Sequence, residues 1–227
     1  MDDASLAKVL DDFGNRVASL FGSRPYWLVH ESLVRSELVA ALLAQKHLFP
    51  ERHAIDARHI SIEAELSGEA KIDLVARPIQ MPPIAVELKG WNIVTKFRDG
   101  LVGSSNASAG YVAAQISGIG SDIMKLGRIV TQQPDAVCLL VVYAQEPLDG
   151  EGARRFAGRR HDKPLRHSIC DVVASPERLR ECLEQDLDGQ ALEVALDEVW
   201  RSKSSFTCAV GTRFHLMAFR IGPHDPG

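Results

Sequence analysis

The sequence predicts a single α/β domain over residues 1–227. Its order is helix, antiparallel three-stranded meander, helix and strand, in a mixed central sheet flanked by helices. Three observations point to it. Near the N-terminus, apolar residues recur at spacings of three and four, as on one face of a helix. From His59 the period falls to two, through short segments divided by turn residues. After a further helical stretch, Ala136–Tyr143 is almost wholly apolar and short, as in a strand buried on both faces.

Leu6, Leu10, Phe13, Val17 and Leu20 define a first helix that ends at Gly22, and Ser23-Arg24-Pro25 breaks the pattern. A second helix runs from about His30 to His47, with Val34, Leu38, Ala41 and Leu42 on one stripe, and Pro50 stops it. His59–Leu66 is the first strand, Ser67-Gly68 a turn and Lys71–Arg77 the second strand. Pro78, Pro82 and Pro83 lack ladder donors, so the chain turns there before the third strand, Ile84–Gly90. Gly100–Gly110, rich in Gly, Ser and Asn, reads as a mobile loop. Tyr111 to about Val130 is helical, although Gly118 and Gly120 each weaken it by ~1 kcal/mol. It is the crossover into the apolar strand. Beyond it are expected a polar loop over Pro147–Lys163, an edge strand over Arg166–Val173 and a helix over Pro176–Leu187 capped by Ser175. A helical turn around Glu193–Trp200 and a terminal strand, Phe206–Ile221, close the chain. The core is about 30–144, and 147–227 is a C-terminal elaboration.

Composition narrows the function classes. With 45% hydrophobic residues the chain can offset the entropy of ordering, which excludes general disorder. A net charge of -4 excludes a generally basic coat. An anionic partner must therefore meet a local basic patch or a bound cation. Cys138, Cys170, Cys182 and Cys208 form no CxxC pair and read as reduced packing residues. The acidic start, Met1-Asp2-Asp3-Ala4, has no apolar signal core. The longest apolar run, Ala136–Ala144, falls short of the ~18–20 residues that span a bilayer. A cytoplasmic chain with no membrane contact is expected.

Chemistry concentrates on the second and third strands. Alternation puts Lys71, Asp73 and Val75 on one face of the second strand, with Ile72, Leu74 and Ala76 on the other. On the third, Ala85, Glu87 and Lys89 share a face. Asp73 and Glu87 each lie seven residues from Gln80, the middle of the Pro-rich turn. A symmetric hairpin sets them opposite one another, Cβ atoms ~5 Å apart, and sets Lys71 against Lys89. Two facing carboxylates repel and need a counter-charge. A divalent cation supplies it, and oxygen ligands favour Mg2+, with Mn2+ able to substitute. Lys89 is placed to orient or deprotonate a water beside that ion, the combination that phosphodiester hydrolysis requires.

Asp73, then Glu87-Leu88-Lys89 on the next strand, resembles the PD-(D/E)XK nuclease superfamily, whose fold is restriction-endonuclease-like. The resemblance covers about residues 30–144, and Ile72 stands where the motif's name has proline. It implies that Asp73, Glu87 and the Leu88 carbonyl hold the metal while Lys89 positions the attacking water. It further implies a glutamate from the preceding helix, Glu37 or, as second choice, Glu31. A polar residue from the following helix, Gln115, is also implied. The expected function is thus a Mg2+-dependent nuclease acting on DNA, most simply a restriction-like endonuclease, with a homodimer suited to double-strand cutting. Lys96, Arg98, Arg154, Arg155, Arg159 and Arg160 are the candidate phosphate contacts.

Other readings compete. The carboxylates suit the wet face of an antiparallel sheet, though Val75 and Ala85 continue that face. Asp122 and Lys125 read as an i,i+3 ion pair on a solvated helix face. A catalytically silent module of the same fold, binding nucleic acid or protein in a defence or repair complex, is the rival function. An unrelated α/β protein with an accidental motif is the third.

Overall fold

The computed structural model describes residues 1–23, 31–49, 59–91, 96–98, 101–103, 109–147, 176–186, 194–202, 206–208 and 212–223. Helix α1 spans Asp3–Ser23. Asp2 caps it: its Oδ1 accepts the Ser5 N–H at 2.7 Å, a donor otherwise orphaned in the first turn. Leu6, Val9, Leu10, Phe13 and Val17 form the buried stripe. Helix α2, Glu31–Ala44, buries Val34, Leu38, Ala41 and Leu42. It stops three residues short of the expected His47. The Gln45 carbonyl accepts the N–H groups of Leu48 and Phe49, turning the chain so that both side chains enter the core. Core burial of these two residues ends the helix before Pro50 is reached.

Strands β1 (Ile60–Leu66), β2 (Glu69–Ala76) and β3 (Ile84–Trp91) form the expected antiparallel meander. Ser67 and Gly68, both at positive φ (53° and 76°), make the mirror-image tight turn that suits strand twist. Two short strands, β4 (Lys96–Arg98) and β5 (Leu101–Gly103), pair with each other, so the start of the expected loop is a hairpin. Helix α3, Ala109–Gln132, is the crossover to β6, Val137–Pro147, which runs parallel to β3. Helix α4 is Pro176–Asp186.

The expected helical turn around Glu193–Trp200 is instead strand β7, Val194–Arg201. Val194 and Leu196 alternate into the core, and the segment pairs antiparallel with the C-terminal strand. Tertiary pairing overrides the helical spacing there. The terminal strand is divided into β8 (Phe206–Cys208) and β9 (Thr212–Pro223). The mixed sheet runs β1-β2-β3-β6-β9-β7, with β8 pairing to β9 off this path. The edge strand expected at 166–173 and most of the polar loop before it lie outside the described residues.

Two apolar layers cover the sheet. Helices α1 and α2 pack on Leu74, Ala76, Ile84, Val86, Leu88, Leu139 and Val141. Ile119, Ile123, Leu126 and Ile129 of α3, with Leu179 of α4, pack on Val75, Ala85, Leu140, Val142 and Phe219. Each fully buried side chain of this size contributes about 1.5–3 kcal/mol, which is why β3 and β6 read as nearly continuous apolar runs. Burial pushes the Cys138 thiol up to about 12, so it packs as an unreactive hydrophobe. Among the described residues no helix is long and apolar enough to cross a membrane.

Gly90 pairs with Tyr143 across β3 and β6, and the Tyr143 ring fills the space a Cβ on Gly90 would need. Gly90→Ala is therefore expected to cost about 1–3 kcal/mol, read as a lower urea midpoint. An unchanged midpoint would show that the ring moves aside freely.

Candidate active site

The β2–β3 register runs Ala76↔Ile84, Val75↔Ala85 and Leu74↔Val86. That is the symmetric hairpin about Gln80, and its next position sets Asp73 against Glu87. Here the ladder opens. The Leu88 N–H donates to Asp73 Oδ2 at 2.8 Å instead of to a β2 carbonyl. Alternation breaks at the same place: Leu74 and Ala76 face α1 and α2, but Ile72 joins the α3-side core, against the expectation that all three share a face. The backbone explains it. Lys71 has a left-handed φ of 58°, and Glu63 one of 50°. The pairs Ile62↔Leu74 and Ala64↔Ile72 bracket Glu63 and Asp73, so Glu63 is the β1 neighbour of Asp73. Left-handed non-glycine residues cost roughly 1–3 kcal/mol each and tend to gather at functional sites. These two flank a single carboxylate.

Asp73 is held from several sides. Arg35 of α2 places Nη1 3.5 Å from Asp73 Oδ1 and 3.8 Å from Glu63 Oε1. Glu87 is 2% exposed, and Lys125 of α3 places Nζ 2.6 Å from its Oε1. Burial pushes the Glu87 carboxyl up to about 8, and the Asp73 carboxyl, within hydrogen-bonding reach, adds to the rise; Lys125 opposes it. Lys89 places Nζ 2.9 Å from Asp122 Oδ2. That approach is a partly buried ion pair. Burial works against the Lys89 charge, but Asp122, Glu31 and Asp73 outweigh it and hold its pKa above the ordinary value. Lys89 therefore remains an ammonium. It can orient a water but is a poor base for deprotonating one.

Glu31 is the α2 carboxyl near these groups. Its pKa is raised first by burial and then by Asp73, while Lys89 and Arg35 pull it down. Glu37 lies two residues beyond Arg35, about 200° round the helix from the side that reaches Asp73. The second choice of the sequence reading thus has the better placement. The Leu88 carbonyl lies on the Asp73 side of β3, since the N–H and C=O of one strand residue point the same way.

Gln115 lies on α3 seven residues before Asp122, on the same helical stripe. Lys96 and Arg98 lie on β4, just past β3, and Arg154, Arg155, Arg159 and Arg160 fall outside the described residues. The expected solvated pair Asp122–Lys125 is corrected. Its atoms are 3.8 Å apart, but Asp122 is buried and both residues turn inward onto the strand charges. Sequence reasoning named both and took them for a solvated pair, although Gln115, Gly118, Asp122 and Lys125 at spacings of three and four are one stripe. It missed Arg35, one turn after Glu31. Gly118, read as a helix weakener, makes room: a Cβ there would stand 3.4 Å from Lys89 Nζ.

The donors gathered here are oxygens, which fit a hard divalent cation, and the like-charged pair at the hairpin opening fits a need for one. Among the described residues no group of three or more His, Cys, Asp or Glu side chains stands together in an arrangement that could hold a metal ion. The fit thus rests on two carboxylates, the Leu88 carbonyl and solvent or substrate oxygens. Set against protein-family models, curated proteins and solved structures, the chain matches none.

Proposed function

We propose that the chain is a Mg2+-dependent nuclease with a restriction-endonuclease-like core, hydrolysing phosphodiester bonds of DNA. One observation carries the reading: Glu87, buried and pushed up to about 8, sits beside the Asp73 carboxyl where the β2–β3 ladder opens. A structural sheet gains nothing from a buried carboxyl set beside a second, partly exposed one. A cation site does.

Asp73, Glu87 and the Leu88 carbonyl would hold the ion, and Glu31, rather than Glu37, is the α2 carboxylate close enough to feel the charges of Asp73 and Lys89. The bound ion supplies an activated water and charge stabilisation at phosphorus. Lys89, kept protonated by Asp122, orients the water. Arg35 bridges Asp73 and Glu63, and so fixes the carboxylate that must face the ion. Lys96 and Arg98 on the following hairpin are the nearest candidate phosphate contacts in sequence. Cutting both strands of a duplex would call for a symmetric dimer.

The test is a cleavage assay with Mg2+ or Mn2+ on plasmid, single-stranded and modified DNA, with Lys89→Ala as control. Metal-dependent cleavage that Lys89→Ala loses by about a hundredfold or more is the expected result. Binding without cleavage across the panel would favour the silent module.

A further inference from the structure

The two lysines of the site are not equivalent. Lys89 approaches Asp122, whereas Lys125 places Nζ 2.6 Å from Glu87 Oε1 and 3.5 Å from the Lys71 carbonyl oxygen. The Lys125 side chain is 19% exposed and that of Glu87 only 3%. Lys125 thus stands on the carboxylate oxygen a metal ion would take. An ammonium and a divalent cation cannot share it, since they need the same lone pairs and repel one another.

Resting on the metal-centred reading above, we infer that Lys125 is a resident counter-ion exchanged for the divalent cation. It holds Glu87 while the metal is absent and moves to Asp122 when the metal arrives. Asp122 suits the receiving end. It lies one helical turn earlier, and its Oδ1 is already 3.8 Å from Lys125 Nζ. The shift leaves two ammonium groups beside one buried carboxylate, so loading the metal also concentrates positive charge where a phosphodiester would bind. Occupancy by the cation is set by this competition as well as by the ligands.

Ca2+ is titrated calorimetrically at pH 8.5 into the wild-type chain, Lys125→Met and Lys125→Arg, with folding checked by circular dichroism. Removing a like charge a few ångströms from the ion should tighten binding about tenfold in Lys125→Met. Lys125→Arg should stay near the wild-type affinity. In the wild type, Ca2+ should also speed acylation of Lys125 by an amine reagent, read by peptide mass spectrometry. A lysine with a purely structural role would not respond. If Lys125→Met does not fold, acylation decides alone. Binding no tighter in a folded Lys125→Met, or acylation unmoved by Ca2+, overturns the exchange and leaves the metal centre standing. No Ca2+ binding by the wild type overturns both.

Discussion

Asp73→Asn is expected to lower metal-dependent phosphodiester cleavage about a thousandfold or more while the fold survives. A metal ion acting as a Lewis acid contributes several kcal/mol to such a reaction, and ~1.4 kcal/mol is a factor of ten. Removing one of two anionic ligands forfeits most of it. Asparagine is the informative replacement because its carbonyl oxygen can still accept the Leu88 N–H, now bonded at 2.8 Å. Alanine would leave that N–H without its acceptor, which costs about 1–3 kcal/mol if the group is buried, and so would mix a folding defect with the chemical one. Losing the charge next to Glu87 also relieves repulsion, and Arg35 keeps Glu63 at 3.8 Å. The melting temperature should hold or rise. Nicking rates against Mg2+ concentration, with a thermal melt on the same sample, check both parts. Wild-type rates and unchanged Mg2+ dependence would remove Asp73 from the site.

The second large effect is in pH. Glu87 has its carboxyl pushed up to about 8 from the ordinary 4.5, chiefly by burial. The folded metal-free protein therefore prefers the protonated acid more than the unfolded chain does. This group's contribution to stability is complete below about pH 4.5, declines as pH rises and is gone above about pH 8. A cation reverses the trend, because it must displace that proton. Mg2+ affinity should rise by up to about tenfold per pH unit below 8 and flatten above it. Calorimetry in buffers of differing ionisation enthalpy should find close to one proton released per ion bound near neutral pH. Glu87→Gln should flatten the stability profile of the metal-free chain and abolish proton release. Affinity independent of pH, with no proton released, would mean that the ion does not bind at Glu87.

The meander and its register were legible because the Pro-rich turn has few ways to close and Gln80 is its centre. The pairing Leu74↔Val86 follows from that symmetry alone. The inward faces of β3 were legible from strict alternation. What escaped is where local rules lose to their surroundings. Period-two reasoning placed Ile72 with Leu74, but the left-handed backbone at Lys71 and Glu63 breaks the period beside Asp73. Asp122 and Lys125 were read as a wet-face pair because an i,i+3 spacing shows that two side chains meet and not which way the helix faces. Glu37 was preferred to Glu31 because it borders the apolar stripe. The deciding fact was the rotation of α2 over the sheet, visible through the reach of Arg35 to Asp73. The helical turn assigned near Trp200 failed because β7 is specified by its partner β9, more than ten residues further along the chain.

The segment between Ala76 and Ile84 has a consequence that its own chemistry does not suggest. Its length works as a ruler: it decides which residue of β3 meets Asp73. Lengthening or shortening it by a single amino acid would slide one strand past the other and turn Glu87 towards the α1–α2 layer. Substitutions there should be forgiven where insertions and deletions are not. The centre can thus be dismantled by an indel about seven positions away, with every one of its side chains still spelled correctly.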